Sequence, residues 1–443
     1  MGRARILPAM DVQRRNALVF FGEATLFGVG VVFIGFTTVL PQFVSELTGS
    51  TVLVGLVIAL AEGAWRAPQL AVVWWLLAAR RKKPWLTRAG LVARPAYLVL
   101  GIALWVGAGS HPALTLGLFL VLHGIMFLFL SVDHMVWWDV FAKAIPAGRR
   151  GRVLGASTVA RGVLAVGAGG LITWLLGEGG PGFPRAYAAL FSLTGILLLL
   201  SLGSWSLVVE PDEEPVGRPP LRGYFEQLAA VLRGNRTFRS LVVIRLVSGC
   251  EGLALGFYPL LGTQVLGFSP AYIGVFAAVQ TVGGIAAGLG LGLLSERAGI
   301  HRVIQVATAA SASAPVVALL FLWTGLNAHH LLGLFYPWVF AAIGVSLSAN
   351  FIGFANGAVE LAPPGERGMY IGLFSTLSGL AVLPPVLGGW LLARTSYATL
   401  LALTASLVLL GHALSWRLGP IGGRASPRVR PGPTAPLQSR APR

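Results

Sequence analysis

The residues of this chain with chemical potential are ionisable groups set inside long apolar runs. Glu62 and Arg66 stand four apart in one such run, so on a helix they share a face and can pair, the acid on the favourable N-terminal side. Glu23, Asp133, Arg161, Arg245 and Glu251 occupy similar surroundings. Each costs on the order of several kcal/mol in lipid unless it is paired or hydrated, which makes it either a structural lock or a working part of a polar path. A carboxylate in such a place can carry a proton, and an arginine can meet an anion. Arg245 and Glu251 are six apart and point to different helix faces, so they are not expected to pair with each other. Arg94 falls near the end of its run, where a long side chain is expected to snorkel toward phosphate groups. His123 and Trp65 are deeper and read as packing residues.

Other chemistries find little support. The single cysteine, Cys250, allows no intramolecular disulfide and no multi-cysteine metal site. The seven histidines lack the His-Glu-x-x-His spacing, and the three lysines, Lys82, Lys83 and Lys143, lie in no phosphate-loop context. We expect neither a cofactor nor a metal, and no enzymatic activity.

The elements that position these charges follow from composition. Hydrophobic residues make up 55% of 443 positions, charged residues only 11%, and the mean hydropathy is +0.77. About 20 apolar residues are needed to cross the hydrocarbon core. Twelve stretches qualify, near 18–44, 52–78, 89–109, 113–139, 152–177, 186–209, 240–265, 271–294, 302–324, 331–357, 368–393 and 397–418. Lipid cannot satisfy backbone N–H and C=O groups, so stretches of this length must be helices. The expected fold is an all-α integral membrane protein.

The chain is also written twice. Pro146, Arg150, Gly151 and Gly155 recur 217 residues later as Pro363, Arg367, Gly368 and Gly372, and Leu40-Pro41 is echoed by Tyr258-Pro259. Two pseudo-symmetric six-helix bundles are therefore expected, at 18–209 and 240–418. Residues 1–17 would form an N-terminal segment, 210–239 a central loop and 419–443 a disordered tail. In the loop, Tyr224, Phe225, Leu228, Val231 and Leu232 fall on one helical face, expected to lie flat on the inner leaflet. Most of the 33 Lys and Arg residues flank spans on the side shared by both termini. The positive-inside rule makes that side cytoplasmic, with the inner (plasma) membrane as the location. The net charge of +17 is then largely topology: membrane lipids, not nucleic acid, are its expected partners.

The run Gly292-Leu293-Leu294-Ser295-Glu296-Arg297-Ala298-Gly299-Ile300-His301-Arg302 resembles the Gly-x-x-x-Asp-Arg-x-Gly-Arg signature of the major facilitator superfamily, with Glu296 in place of the usual aspartate. The corresponding copy after the second span, Ala78-Ala79-Arg80-Arg81-Lys82-Lys83, has no acid. The glycines Gly284, Gly288 and Gly292, at four-residue spacing, read as a close-packing helix face.

This resemblance covers about residues 15 to 418 and implies two bundles rocking about a central site. It implies a gate in which Glu296 approaches the start of the fifth span, where Arg150 and Arg152 lie. Asp139, Glu360 and Arg367, at inner helix ends, would belong to the same closed-state network. In the family the first, fourth, seventh and tenth spans line the path, which favours Glu23, Asp133 and Glu251 as path residues. The function so implied is secondary active transport of a small solute of unidentified class by alternating access. The acids within the spans make protons the preferred coupling ion, because a carboxyl group alternately facing each side can carry one, and a monomer is the expected working unit. A lipid-handling protein of the same fold is the alternative. A membrane enzyme or receptor is weaker, because neither a catalytic motif nor a sizeable extramembrane domain is present.

Overall fold

The computed structural model describes residues 11–76, 79–212, 231–363 and 367–421. Among them, eleven helical segments are long and apolar enough to cross a membrane. In order these are Val12–Thr48, Lys83–Trp105, Pro112–Ala144, Gly148–Leu176, Arg185–Trp205, Arg236–Val265, Tyr272–Ala298, Ile300–Thr324, Gly333–Glu360, Tyr370–Leu392 and Tyr397–Ser415. The remaining expected span, 52–78, is present as two shorter helices, Thr51–Arg66 and Gln69–Leu76. They part at Pro68, whose ring and missing N–H interrupt the helical ladder. Counting that broken element as the second, we number the spans one to twelve. The amphipathic stretch expected from Tyr224 lies outside the described residues up to position 230, as does the tail beyond 421.

Several spans are bent where the sequence weakens the helix. The first breaks after Ile34, where Gly35 takes φ 30° and a second helix, Val39–Thr48, resumes. The seventh passes through a 3₁₀ turn at Gly249–Glu251 and a π turn at Leu261–Val265, and the tenth through a π turn at Phe351–Ala355. Such local changes of helical pitch often sit beside functional side chains.

The duplication visible in the sequence reappears in the packing. Spans one and six, one and five, three and six, three and four, and two and four pack together in the first half. Their counterparts seven and twelve, seven and eleven, nine and twelve, nine and ten, and eight and ten pack together in the second. The architecture is thus two six-helix bundles of equivalent arrangement.

The bundles join unequally at their two ends. At the end remote from residues 11 and 421 a single buried apolar core runs through both halves, from Phe43 and Phe119 to Phe257 and Phe276. At the other end the core divides. One part, with Phe20, Phe141 and Trp205, belongs to the first half alone; the other, with Phe238, Ile304 and Phe354, belongs to the second. Glycines permit the joined end. Gly169 and Gly274 face each other across spans five and eight so closely that a Cβ on either would strike the partner helix, and Gly55 sits equally tightly against the Pro385 carbonyl of span eleven. Four hydrogen bonds cross there as well. Thr37 donates to Gln280 (2.9 Å), Thr51 to the Gly389 carbonyl (3.0 Å), Thr263 to Gln42 (3.1 Å) and Gln264 to Ser45 (2.8 Å). Toward the split end a Cβ at Gly155, Gly288 or Gly292 would meet nothing within 4 Å, so spans five and eight have separated. Of the three glycines expected to form a packing face, only Gly284 does so, against Gly344 and Ser348. Spans two and eleven remain close even in this half, through Gln69–Leu76 and Arg367–Ser378.

Candidate functional site

Between the bundles, the second and seventh spans bring four charges toward one another. Arg66 closes the helix Thr51–Arg66, and its Nε donates to Glu62 Oε2 at 2.5 Å. Both side chains are about a quarter exposed, so the pair faces space and is not sealed in helix packing. From the opposite half, Arg245 lies within electrostatic reach of Arg66, Glu62 and Glu251. Its Cζ sits 5.8 Å from the centre of the Phe354 ring. Arg245 and Glu251 make no ion pair. Glu251 instead accepts from Ser346 Oγ at 2.7 Å and from Asn350 Nδ2 at 3.1 Å, both on span ten. Ser346 in turn meets Ser311 Oγ at 2.7 Å, which ties span nine into the same network. Arg245 Nη1 is enclosed without a hydrogen-bond partner among the described residues.

A second cluster lies wholly within the first bundle, and it corrects the expectation for Arg94. That side chain does not snorkel; it is 2% exposed. Its Nη2 contacts Glu23 Oε1 and Asp133 Oδ2, each at 3.1 Å, and its Nη1 donates to Ser201 Oγ at 2.5 Å. Trp137 Nε1 donates to the other Glu23 oxygen at 2.7 Å. Spans one, three, four and six are thereby tied by one guanidinium. Glu23 and Asp133, expected as path residues, are buried in this lock. Arg161 of span five packs across Gly28 of span one, where a Cβ would displace it, and makes no ion pair among the described residues. His123 is held by Tyr97 Oη (2.7 Å) and the Val57 carbonyl (3.0 Å), as a packing residue would be.

The residues expected to form a gate are scattered in this conformation. Glu296 and Arg297 are exposed, as are Arg152 and Glu360, and Glu296 makes no ion pair with a described residue. Arg150 turns back onto its own loop, bonding the Ile145 carbonyl at 2.9 Å and the Ala142 carbonyl. Arg302 donates to Gln305 at 2.8 Å and lies over the Trp416 ring. Arg367 opens its helix, but its side chain lies outside the described residues. Gly299 has φ 87°, a conformation that favours glycine, and this lets span nine begin directly after span eight.

The first-half copy of the signature, lacking an acid of its own, is served from elsewhere. Lys82 Nζ reaches Asp139 at 2.7 Å, and Lys143 reaches its other oxygen at 2.5 Å. Arg81 takes both oxygens of Asp212 at 2.6 and 3.2 Å, while Glu210 accepts from the backbone N–H groups of Lys82 and Lys83, both at 2.8 Å. Asp139 is thus committed to lysines of its own half and not to Glu360. Glu210 and Asp212 open the expected central loop, in the acidic, proline-containing run Glu210-Pro211-Asp212-Glu213-Glu214-Pro215, where sequence spacing points to no partner for either.

A two-bundle membrane protein, joined at one end, parted at the other and carrying opposed charges between its halves, has the build of a transporter and not of an enzyme. A sequence profile of the Major Facilitator Superfamily matches residues 140–384, more than half of the chain, and the protein belongs to that superfamily. It is a multi-pass membrane protein of the secondary-transporter class. Solved structures share the fold. A variant of the nucleoside transporter NupG aligns with a TM-score of 0.66 at 10% identity, over 92% of this chain and 100% of that one. A bacterial homologue of the human lysosomal transporter Spinster, inward-facing and occupied, gives 0.63 at 15% identity over 93% and 97%. A D-xylose–proton symporter gives 0.62 at 15% identity over 93% and 97%. No curated protein sequence matches the chain.

Proposed function

We propose that the protein moves a small solute across the inner membrane by alternating access, coupled to protons, with both termini in the cytoplasm. The observation that carries this reading is the apolar core that is continuous through both halves at one end and divided at the other. Rocking about the charged zone of spans two and seven would exchange the joined and parted ends. Glu296 would then close on Arg150 and Arg152, and Arg367 with Glu360 would approach from the other side. A carboxylate is favoured both by arginine and by the positive end of a helix, which suits that contact.

Protons fit the charge arithmetic. Glu23, Asp133 and Arg94 together carry one excess negative charge when fully ionised, in a place that is 2–4% exposed. Excess buried charge is costly, and a proton taken up by the cluster removes it. Asp133 Oδ1, which has no hydrogen-bond partner among the described residues, is the atom we assign to receive it. Glu62, released from Arg66, offers a second proton site facing the space between the bundles. The test is flux in liposomes under an imposed pH gradient. Glu62→Gln, Glu23→Gln and Asp133→Asn should each abolish gradient-driven accumulation, and unchanged accumulation in all three would refute proton coupling through these acids.

A further inference from the structure

We infer, on the basis of the transport reading above, that the substrate is a small organic acid whose carboxylate is held between Arg245 and Arg66 from opposite halves. The two acids beside this zone already have their donors: Glu62 has Arg66, and Glu251 has Ser346 and Asn350. Arg245 differs. Its Nη1 is enclosed and finds no acceptor among the described residues, because the two acids within electrostatic reach are engaged by other groups.

A guanidinium cannot discard its charge, so the missing element of this site is an anionic acceptor. The planar fork of an arginine matches a carboxylate through two parallel hydrogen bonds. Packing against span eleven brings a second cation, Arg66, toward the first: a Cβ on Gly249 would meet both Ala381 and Arg245 Nη1, and a Cβ on Gly63, in the turn before Arg66, would meet the adjacent Val382. Two such cations repel when the site is empty and are favourable around an anion. The Phe354 ring, buried in the core of the second half, backs the Arg245 guanidinium and helps to hold its orientation. Asn350 Oδ1, on the residue that holds Glu251, is also buried without a partner among the described residues and can take a hydroxyl or amide substituent.

Charge balance links the acid to a proton. Glu62, Arg66, Arg245 and Glu251 sum to zero, so an arriving monovalent anion leaves the cluster one negative charge in excess. A proton on Glu62 or Glu251 restores neutrality, and the acid and the proton would cross together.

The experiment is a melting-temperature measurement on the full-length purified protein with matched acid and amide pairs: benzoate and benzamide, lactate and lactamide, succinate and succinamide. A ligand that binds only the folded state raises Tm by mass action. At least one acid should raise Tm while its amide does not, and the rise should vanish in Arg245→Gln and shrink in Arg66→Gln. If Arg245→Gln does not fold, Arg66→Gln and Arg245→Lys carry the test, each shrinking the acid shift, the lysine because it keeps the cation but not the planar fork. Equal shifts with amides, no shift with any acid, or an acid shift that survives both arginine variants would overturn the assignment. Counterflow in liposomes separates this from the underlying reading. Exchange of acids but not amides supports the assignment; exchange of neutral solutes alone leaves transport standing and removes the anion; exchange of neither removes both.

Discussion

Arg94 Nη2 lies 3.1 Å from Glu23 Oε1 and 3.1 Å from Asp133 Oδ2, so one guanidinium holds two carboxylates from helices far apart in the chain. Breaking a buried ion pair from one side strands the other charge, at about 3–5 kcal/mol. Arg94→Gln should therefore lower stability by about that amount, since it strands two carboxylates. Replacing all three residues by apolar side chains of similar size should recover most of the loss. Unfolding in detergent, followed by intrinsic tryptophan fluorescence, measures both, and wild-type stability in Arg94→Gln would show that the cluster is not a lock.

Asp133→Asn is expected to behave differently from Arg94→Gln. It removes the excess negative charge while keeping an acceptor for Arg94, so stability should stay within about 1 kcal/mol of wild type or rise. Proton-driven accumulation should fall away, while solute exchange without a gradient persists. Comparing the two fluxes in the same liposomes reads coupling separately from folding. Loss of both fluxes in a well-folded Asp133→Asn would place the residue in solute binding instead.

The joined end depends on glycine at few places. Gly55→Val would press a branched side chain into the Pro385 carbonyl, and Gly274→Val would press one into Gly169 and Thr173. Neither glycine lies within the two divided cores, so each bundle should still fold. Both variants should disfavour the observed conformation and raise labelling by a membrane-impermeant thiol reagent in Gln42→Cys, a buried position of the joined end, in a Cys250→Ser background. Wild-type labelling rates in both would mean that the close approach does not control closure.

The linker is pinned by a pH-sensitive contact. Hydrogen bonding to Arg81 holds the Asp212 carboxyl below its usual range, so the contact is intact above the ordinary carboxylate pKa, about 4, and is lost as pH falls through the depressed value. Both groups are largely exposed, and salt should weaken the contact too. A fluorophore on Pro211→Cys should gain rotational freedom on acidification below about pH 4, and should have it at neutral pH in Asp212→Asn. Anisotropy that is flat with pH in the parent would contradict the pairing.

Much of the fold was legible because a lipid solvent permits few solutions. Runs of about 20 apolar residues in a chain with so little charge can only be spanning helices, and the repeat of Pro146, Arg150 and Gly151 at Pro363, Arg367 and Gly368 disclosed two halves. The break at Pro68 was open to the same reasoning, since a proline inside a span interrupts its ladder. The pairing of Glu62 with Arg66 is local and follows from spacing. Arg94 was misread because its partners lie 71 and 39 residues away, a relation that helical periodicity does not carry. The available signal was an imbalance: Glu23 and Asp133 had no cation within one turn, and Arg94 did not have an acid. Glu251 was harder still, as its partners Ser346 and Asn350 are neutral and invisible to a search for charges. Glu296 shows a different limit. The partners expected for it, Arg150 and Arg152, would meet it only in the proposed state in which the two divided cores come together.

The most direct test of alternating access is a pair of distance measurements by spin labels in a Cys250→Ser background. One pair, Arg149→Cys and Ala298→Cys, spans the parted end between spans five and eight; the other, Glu178→Cys and Pro270→Cys, spans the joined end. Alternating access predicts two populations at each end, with the first distance shortening whenever the second lengthens as pH or solute is varied. Distances that stay fixed under every condition, or that lengthen and shorten together, would contradict it.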